Sequence, residues 1–284
     1  MSEPILPNNL LKVKTHHLRP TCEKCFGLCC VALFFSEQDG FPIDKNAGTP
    51  CPHLESNFHC DTYDSLETLG LKGCISYDCF GAGQRVSQIT FCGKSWSVEH
   101  SLAQTMFEVF PIMRQLHEMC WYLTEALTLK QSLSIHSELN ALLCETESVA
   151  RYDALSLLAF DLTTHRTKVN TLLRETSEYV RSDAYHNAAN SVKKSQTITD
   201  LAGKDLRRDD LRYADFRGVC LIAVNLEGVD LTGVNFIGAD LRDANLKGAN
   251  LSKSFFLTQF QINTAKGDLN TQLPLMLNRP KQWL

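Results

Sequence analysis

A large apolar side chain recurs at every fifth residue in the C-terminal part of the chain. The series is Leu201, Leu206, Leu211, Phe216, Leu221, Leu226, Leu231, Phe236, Leu241, Leu246, Leu251 and Phe256. Two residues before most of these positions stands Ala or Val. An α-helix repeats about every 3.6 residues and a strand about every 2, so neither produces this spacing. A fixed short repeat is typical of a solenoid, and solenoids commonly serve as binding surfaces.

The successive pentads of this segment are KDLRR DDLRY ADFRG VCLIA VNLEG VDLTG VNFIG ADLRD ANLKG ANLSK. This run resembles the pentapeptide-repeat family. The resemblance implies a right-handed, four-sided (quadrilateral) β-helix in which each pentad forms one side. It also implies that the central Leu or Phe and the small residue two positions earlier fill the shaft. We predict this fold for residues 197–284, with the tail Phe260–Trp283 closing its end.

Composition separates two further segments from the repeat. Residues 1–95 contain eight of the fifteen Gly and six of the nine Pro, which indicates loop-rich chain with a small core. Between Gly93 and Gly203 there is no Gly, and apolar residues from Leu102 to Leu123 follow helical spacing. We therefore predict a multi-domain chain, with a Cys-rich metal-binding module (1–95), an α-helical bundle (96–196) and the repeat. Pro111 is expected to kink or split its helix.

Nine of the twelve cysteines lie in the first segment. In a reducing compartment, such clustering indicates metal binding or redox chemistry more than disulfides. Thiolates spaced as Cys-x2-Cys can chelate one ion from a tight turn, and a distant pair completes a tetrahedron. Eight cysteines are therefore candidate ligands, namely Cys22, Cys25, Cys29, Cys30, Cys51, Cys60, Cys74 and Cys79. Their order from CxxC through CC and CPxL resembles the zinc- or iron-chelating cysteine-cluster family, which implies metal binding at these positions.

The spacing leaves several metal arrangements open. Eight thiols could hold two tetrahedral zinc ions, or one iron–sulfur cluster with spare cysteines. His53 and His59 could replace one or two thiols, and disulfides are a further alternative. The adjacent Cys29 and Cys30 can both ligate only if they serve different ions or the chain bends sharply. We predict zinc, with an iron–sulfur cluster as the alternative cofactor.

The sequence predicts a non-enzymatic, cytoplasmic binding protein. It contains no HExxH, GxSxG or kinase motif set, no signal-peptide h-region and no apolar run long enough to span a membrane. The net charge of −4 gives no reason to expect direct nucleic-acid binding. We therefore predict a scaffold that binds a protein partner. A redox or metal-linked protein acting at the cysteine cluster is the alternative, and an enzyme with an open metal position stays open.

A second alternative follows from the repeat resemblance. Some pentapeptide-repeat proteins mimic DNA through an acidic face and bind DNA gyrase or another topoisomerase. Here residues 197–270 contain ten acidic and nine basic side chains, so a long anionic stripe is not expected. A homodimer formed through one end of the repeat is also compatible with the aromatic tail.

Overall fold

The computed structural model describes residues 15–187 and 200–284. These residues form two compact units, and each is described on its own. The first unit comprises Glu125–Ile135 and the described part of Leu173–Leu284, and the second comprises the described part of Asn9–Thr124 together with His136–Leu172. The boundary predicted between residues 196 and 197 lies outside the described residues, so the three-domain division stays a prediction.

Regular secondary structure in the described ranges is mostly helical. The α-helices are α1 (Leu28–Ala32), α2 (Lys72–Ser76), α3 (Ala82–Arg85), α4 (Ala103–Ala126), α5 (His136–Val149), α6 (Ala154–Ala159), α7 (Leu162–Asn187) and α8 (Gln259–Thr264). Short 3₁₀ helices span His16–Leu18, Cys22–Lys24, Glu37–Asp39, Tyr63–Ser65, His100–Leu102, Lys130–Ile135 and Lys281–Trp283, and a π-helical turn spans Val86–Thr90. The elements described between residues 15 and 100 are all short, as the composition predicts.

Helix α4 supplies the apolar face that was predicted from its spacing. Met106, Val109, Met113 and Leu116 are each fully buried. Pro111 lies inside the helix, which continues on both sides of it, so the predicted split does not occur. The missing N–H of a proline removes one hydrogen bond, and the burial of this long apolar face offsets that loss.

The prediction of a right-handed quadrilateral β-helix is wrong. In the described part of the repeat, parallel pairing consists of single-residue bridges, and no paired run is long enough to form a strand, a sheet or a β-helix. The pentad itself gives the reason. The two residues after each central Leu or Phe form a turn, which leaves about one residue per pentad for pairing. We call residues 200–256 the repeat array.

Residues twenty positions apart lie side by side in the repeat array. Asp205 bridges Asn225, and the backbone N–H of Leu226 donates to the carbonyl of Asn245 at 2.9 Å. From Phe216 to Phe256, each central Leu or Phe is at most 6% exposed. The array is therefore a stack of turns around a column of large and small apolar side chains, which its period of five dictates.

The Asp or Asn that precedes each central residue stabilises the turn that follows. The Asp205 carboxylate accepts a hydrogen bond from the backbone N–H of Arg207, and Asn245 does the same for Lys247. This is the local hydrogen bond that makes Asp and Asn frequent in turns. Cys220 occupies this position in its pentad, where a thiol replaces the usual carboxylate or amide.

The C-terminal tail packs on the last residues of the array. Helix α8 begins with a capping box formed by Thr258 and Gln261. The Gln261 side chain also donates to the carbonyls of Phe236 and Ala239. Trp283 is buried and its indole N–H donates to Ala265. The C-terminal end of the stack thus gains hydrogen-bond partners that a bare repeat would lack.

Glu125 is a buried acid in the unit that contains the array. One carboxylate oxygen accepts a hydrogen bond from the backbone N–H of Phe256, whereas Oε2 has no hydrogen-bond partner. Burial raises the pKa of Glu125 to about 8. The carboxyl is therefore mostly protonated in the folded protein at neutral pH, because a buried carboxylate without a cation costs several kcal/mol.

This acid makes stability depend on pH. An unfolded Glu has a pKa of about 4.3, so between pH ~4.3 and ~8 the folded state binds more protons than the unfolded state. The free energy of unfolding should therefore fall by a few kcal/mol as the pH rises through this window. We expect Glu125→Gln to remove most of this decline in denaturant unfolding at pH 5 and pH 8. The exposed Glu227→Gln is the control, and identical pH profiles for wild type and Glu125→Gln would contradict the assignment.

Candidate metal centre

The eight cysteines predicted to bind metal lie on short elements and loops of one unit. They occupy the turn Cys22–Lys24 and its end, helix α1, two loops, helix α2 and the loop before α3; in chain order they are Cys22, Cys25, Cys29, Cys30, Cys51, Cys60, Cys74 and Cys79. All eight are free thiols in the structure. Because the elements are short, side-chain contacts among these loops must supply much of the local order.

Cys25, Cys29 and Cys79 form one set of interacting thiols, which we call the Cys79 group. Burial raises the pKa of Cys25 to about 11 and that of Cys79 to about 12, and the Cys25 thiol adds to the rise at Cys79. The pKa of Cys29 is also raised, first by its contact with Cys30 and further by Cys25 and Cys79. A Cβ at Gly83 would lie 2.6 Å from the Cys25 sulfur and 3.9 Å from the Cys79 sulfur. Glycine is therefore needed for the close approach of the Cys25 sulfur to α3, whereas the Cys79 sulfur would make only an ordinary van der Waals contact with a Cβ there.

Cys30, Cys51, Cys60 and Cys74 form a second set, which we call the Cys74 group. The pKa of Cys74 is raised to about 12, mainly by burial and further by the charges of the other three thiols. Burial likewise raises the pKa of Cys51, with contributions from Cys30 and Cys60. Cys30, Cys51 and Cys74 therefore lie within electrostatic reach of thiols more than twenty residues away in the chain, whereas Cys60 is within reach of Cys51 and Cys74, nine and fourteen residues away.

Two contacts connect the sets. The sulfurs of Cys29 and Cys30 lie 3.8 Å apart on α1. Cys22 raises the pKa of Cys25, and its own pKa is raised by burial and by Cys30. Each of the eight predicted ligands therefore lies within electrostatic reach of at least one other thiol, and Cys29 and Cys30 are in direct contact.

Backbone N–H groups point at three of the sulfurs. Those of Gly27 and Leu28 donate to Cys25, and those of Gly81 and Gly83 donate to Cys79. The N–H of His53 donates similarly to Cys51. Such donors stabilise thiolate charge, and they orient and tune the sulfur ligands of metal sites.

Lys45 brings a positive charge to the cluster. Its ammonium is held by the backbone carbonyls of Val31 and Leu33, and its side chain is buried. Burial lowers the pKa of Lys45, while the charges of Cys51 and Cys30 oppose that shift. A cation in this position offsets part of the repulsion between neighbouring thiolates.

Helix α4 fixes the loop that carries Cys79. The guanidinium of Arg114 donates to the carbonyl of Asp78 at 3.0 Å, and Nδ1 of His117 lies 2.7 Å from the carbonyl of Phe80. Burial lowers the pKa of His117 to about 4, so the ring is neutral and its Nδ1–H is the donor. The backbone on both sides of Cys79 is thereby attached to a long helix, which is how a loop ligand can be held in place.

Comparison with known proteins places the chain in a family. A family model described as pentapeptide repeats matches residues 199–228 and 220–256, with eight copies of the repeat. The uncharacterized protein YybG of Bacillus subtilis (strain 168) is 54% identical over 268 residues, which are 94% of this chain and 95% of that protein. The chain belongs to the same family as YybG. No solved structure matches the chain.

The same comparisons confirm part of the predicted resemblance. The pentapeptide-repeat assignment of the C-terminal part is confirmed, because the matched residues fall within the repeat array and just before it. The resemblance of residues 22–79 to the zinc- or iron-chelating family is not confirmed by them. In the described ranges, no helix is long and apolar enough to cross a membrane.

The arrangement of the thiols is looser than that of a loaded metal site. Across residues 15–187 and 200–284, no three His, Cys, Asp or Glu side chains are arranged as a group that could hold one metal ion. The thiols are thus close enough to influence each other's pKa, but their sulfurs do not converge on a common point. His53, which could replace a thiol as a ligand, instead pairs with Asp61, with 2.9 Å between its Nδ1 and Oδ1 of Asp61. The ligand set therefore stays a prediction.

Sequence reasoning missed the side chains that support the cluster. Lys45, Arg114 and Gly83 belong to no spaced motif, so nothing in the pattern marks them. His117 likewise belongs to no motif, and its hydrogen bond to the carbonyl of Phe80 gives it a specific supporting role. The usable signal is the small residues Gly81, Ala82 and Gly83, which begin two residues after Cys79 and allow the Cys25 sulfur to approach closely.

Proposed function

We propose that this chain is a non-enzymatic binding protein whose cysteine-bearing segment is stabilised by zinc and whose repeat array serves as a docking surface. The observation that carries the proposal is the collection of eight free thiols on short elements of one unit. The sulfurs of Cys29 and Cys30 lie 3.8 Å apart, and each of the other six thiols is within electrostatic reach of at least one more. A divalent cation would replace their mutual repulsion with attraction.

The surroundings of the cluster support a thiolate site. N–H donors directed at Cys25, Cys51 and Cys79 favour the charged form of each sulfur. The segment lacks long elements, so a metal would supply order that its core cannot. Zinc is the natural choice because it accepts four thiolates in a closed tetrahedral site and needs no redox chemistry.

The charges of the repeat array favour a general protein-docking surface over mimicry of DNA that would bind a topoisomerase. Several of its outward acids are neutralised within their own pentads, as in the pairs Asp205–Arg207, Asp210–Arg212 and Asp240–Arg242, each with 2.7 Å between oxygen and nitrogen. Paired charges weaken the anionic field that mimicry of DNA phosphates requires. The array instead offers a surface of mixed charge on a regular framework.

The metal content of the intact chain tests the proposal. After expression in zinc-supplemented medium and anaerobic purification, we expect a colourless protein with zinc that survives extensive dialysis. The control is a variant with Ser in place of Cys25, Cys51, Cys74 and Cys79, which should retain no zinc. A brown protein with iron and acid-labile sulfide would show that the cofactor is an iron–sulfur cluster and not zinc. A metal-free wild type would refute the proposal.

A further inference from the structure

The two adjacent cysteines of helix α1 have their sulfurs in contact. The Sγ atoms of Cys29 and Cys30 lie 3.8 Å apart, and both residues are half-buried free thiols. A disulfide bond is about 2.0 Å long, so these sulfurs would have to move about 1.8 Å closer to form one. The pair is therefore placed for oxidation to a disulfide between neighbours in the chain.

Helix α1 cannot hold such a bond in its present conformation. The Cα atoms of neighbouring residues are about 3.8 Å apart across a trans peptide, whereas those of disulfide-bonded cysteines are usually about 4.4 Å apart or more. Successive side chains of an α-helix also point about 100° apart around its axis. Forming the bond therefore requires the peptide between Cys29 and Cys30 to leave the helical conformation, which would unwind a helix of only five residues.

Unwinding α1 would disturb the packing at both of its ends. Leu28 and Val31 are fully buried side chains of this helix. The helix begins after Gly27, whose backbone is left-handed and packs so closely on Leu54 that a Cβ there would lie 2.5 Å from the leucine side chain. A change in the backbone of α1 therefore cannot stay confined to the two cysteines.

The last carbonyls of α1 connect the helix to the loop that carries Cys51. The carbonyl of Cys30 accepts a hydrogen bond from the backbone N–H of Cys51 at 3.0 Å, and the carbonyl of Val31 accepts one from Gly48 at 2.8 Å. Both carbonyls would change direction if the peptides of α1 rotated. Oxidation of the pair would thus release the loop 48–51 as well as the helix.

We propose that Cys29 and Cys30 are a redox-sensitive pair, which a peroxide converts to a disulfide that unwinds α1. A thiolate of the pair attacks one oxygen of hydrogen peroxide, the O–O bond breaks and hydroxide leaves, so that this sulfur becomes a sulfenic acid. The second sulfur then attacks the first, the S–O bond breaks, and the hydroxyl leaves as water with the proton of the second thiol. The sulfurs lose two electrons, and the peroxide ends as two water molecules.

The change is reversible, because a disulfide with strained geometry is easily reduced by thiols. The inference goes beyond the proposed function, since the contact between the sulfurs exists in the chain without a metal. In a zinc-loaded chain, the same bond would remove two of the predicted ligands, so zinc should be released as the disulfide forms.

Peptide mapping of the intact, anaerobically purified chain after treatment with hydrogen peroxide tests the proposal. With the remaining thiols alkylated, we expect the tryptic peptide Cys25–Lys45 to carry a disulfide between Cys29 and Cys30 and an alkyl group on Cys25. Treatment with dithiothreitol before alkylation should restore both thiols. A disulfide from either cysteine to any other residue would overturn the proposal, as would a pair that stays reduced while the exposed Cys144 is oxidised.

Cys29→Ser and Cys30→Ser separate the pair from the other thiols. Oxidation of each variant should stop at a sulfenic acid on the remaining cysteine, which dimedone traps, whereas the control Cys144→Ser should form the disulfide as the wild type does. A disulfide at the remaining cysteine of either variant would contradict the pairing.

Hydrogen exchange of residues 27–32 tests the unwinding. Amide exchange there should rise about tenfold or more in the oxidised wild type, and it should not rise in the two serine variants after the same treatment. A disulfide without this rise would overturn the conformational change. The zinc content of the same samples keeps the two proposals apart: a metal-free chain that forms the disulfide counts against the proposed function alone, and a zinc-bound chain that forms none counts against this inference alone.

Discussion

Leu246→Asp is expected to unfold the repeat array, whereas Lys247→Asp is expected to leave it folded. Leu246 is fully buried in the apolar column, and the neighbouring side chain of Lys247 is exposed. A carboxylate in the column would have no cation and no hydrogen-bond donor reserved for it, at a cost of several kcal/mol or more. Because domains of this size are stable by only about 5–15 kcal/mol, one such charge removes most of the stability.

The two variants differ by one position and introduce the same side chain, so they separate burial from charge. Denaturant unfolding and hydrogen exchange of residues 216–256 measure the effect. We expect Lys247→Asp to lie within about 1 kcal/mol of the wild type, as is usual for surface positions. A soluble Leu246→Asp with wild-type protection in the array would show that the column is not what holds the array together.

Removing the metal is expected to unfold the cysteine-bearing segment and leave the array protected. Binding free energies of structural zinc sites reach about 10–16 kcal/mol, and in small sites this energy is the folding energy. Between residues 20 and 95 the described helices have at most five residues each, so little else holds this segment. In a reducing buffer without oxygen, a strong chelator should raise amide exchange there by orders of magnitude.

Hydrogen exchange followed by peptide mapping resolves the two segments in one experiment. Peptides covering residues 22–80 should lose protection, and peptides covering 216–256 should not change. The same chelator saturated with zinc beforehand is the control, since it cannot extract the metal. Unchanged exchange in 22–80, despite loss of the zinc, would contradict a structural role for the ion, and parallel loss in the array would show that the two segments do not fold separately.

The repeat shows what a period can and cannot predict. The spacing of five identified which side chains are buried. Each pentad contributes one central Leu or Phe, and these side chains line up in the same apolar column. The spacing did not predict how the backbone pairs. A turn after every central residue leaves single-residue bridges such as Asp215 with Asn235, where the family resemblance implied the strands of a β-helix.

For the cysteines, the sequence predicted local pairs but not the contacts between distant parts of the chain. Local spacing marked Cys22 and Cys25 as a pair, but it did not reveal that Cys79 lies near Cys25, on the other side of Gly83. That proximity depends on Gly83 and on the hydrogen bonds from Arg114 and His117 to the backbone beside Cys79. These are single residues in long-range contacts, and a single sequence contains no pattern from which such contacts can be inferred.

We propose that thiolates, and not other side chains, hold a zinc ion in this protein. X-ray absorption at the zinc edge of the anaerobically purified intact chain tests it most directly, because the method reports which atoms surround the metal. For a zinc ion held by thiolates, we expect a shell of four sulfurs at about 2.3 Å from the metal. A shell in which nitrogen or oxygen atoms predominate, or a sample with no zinc edge, would contradict it.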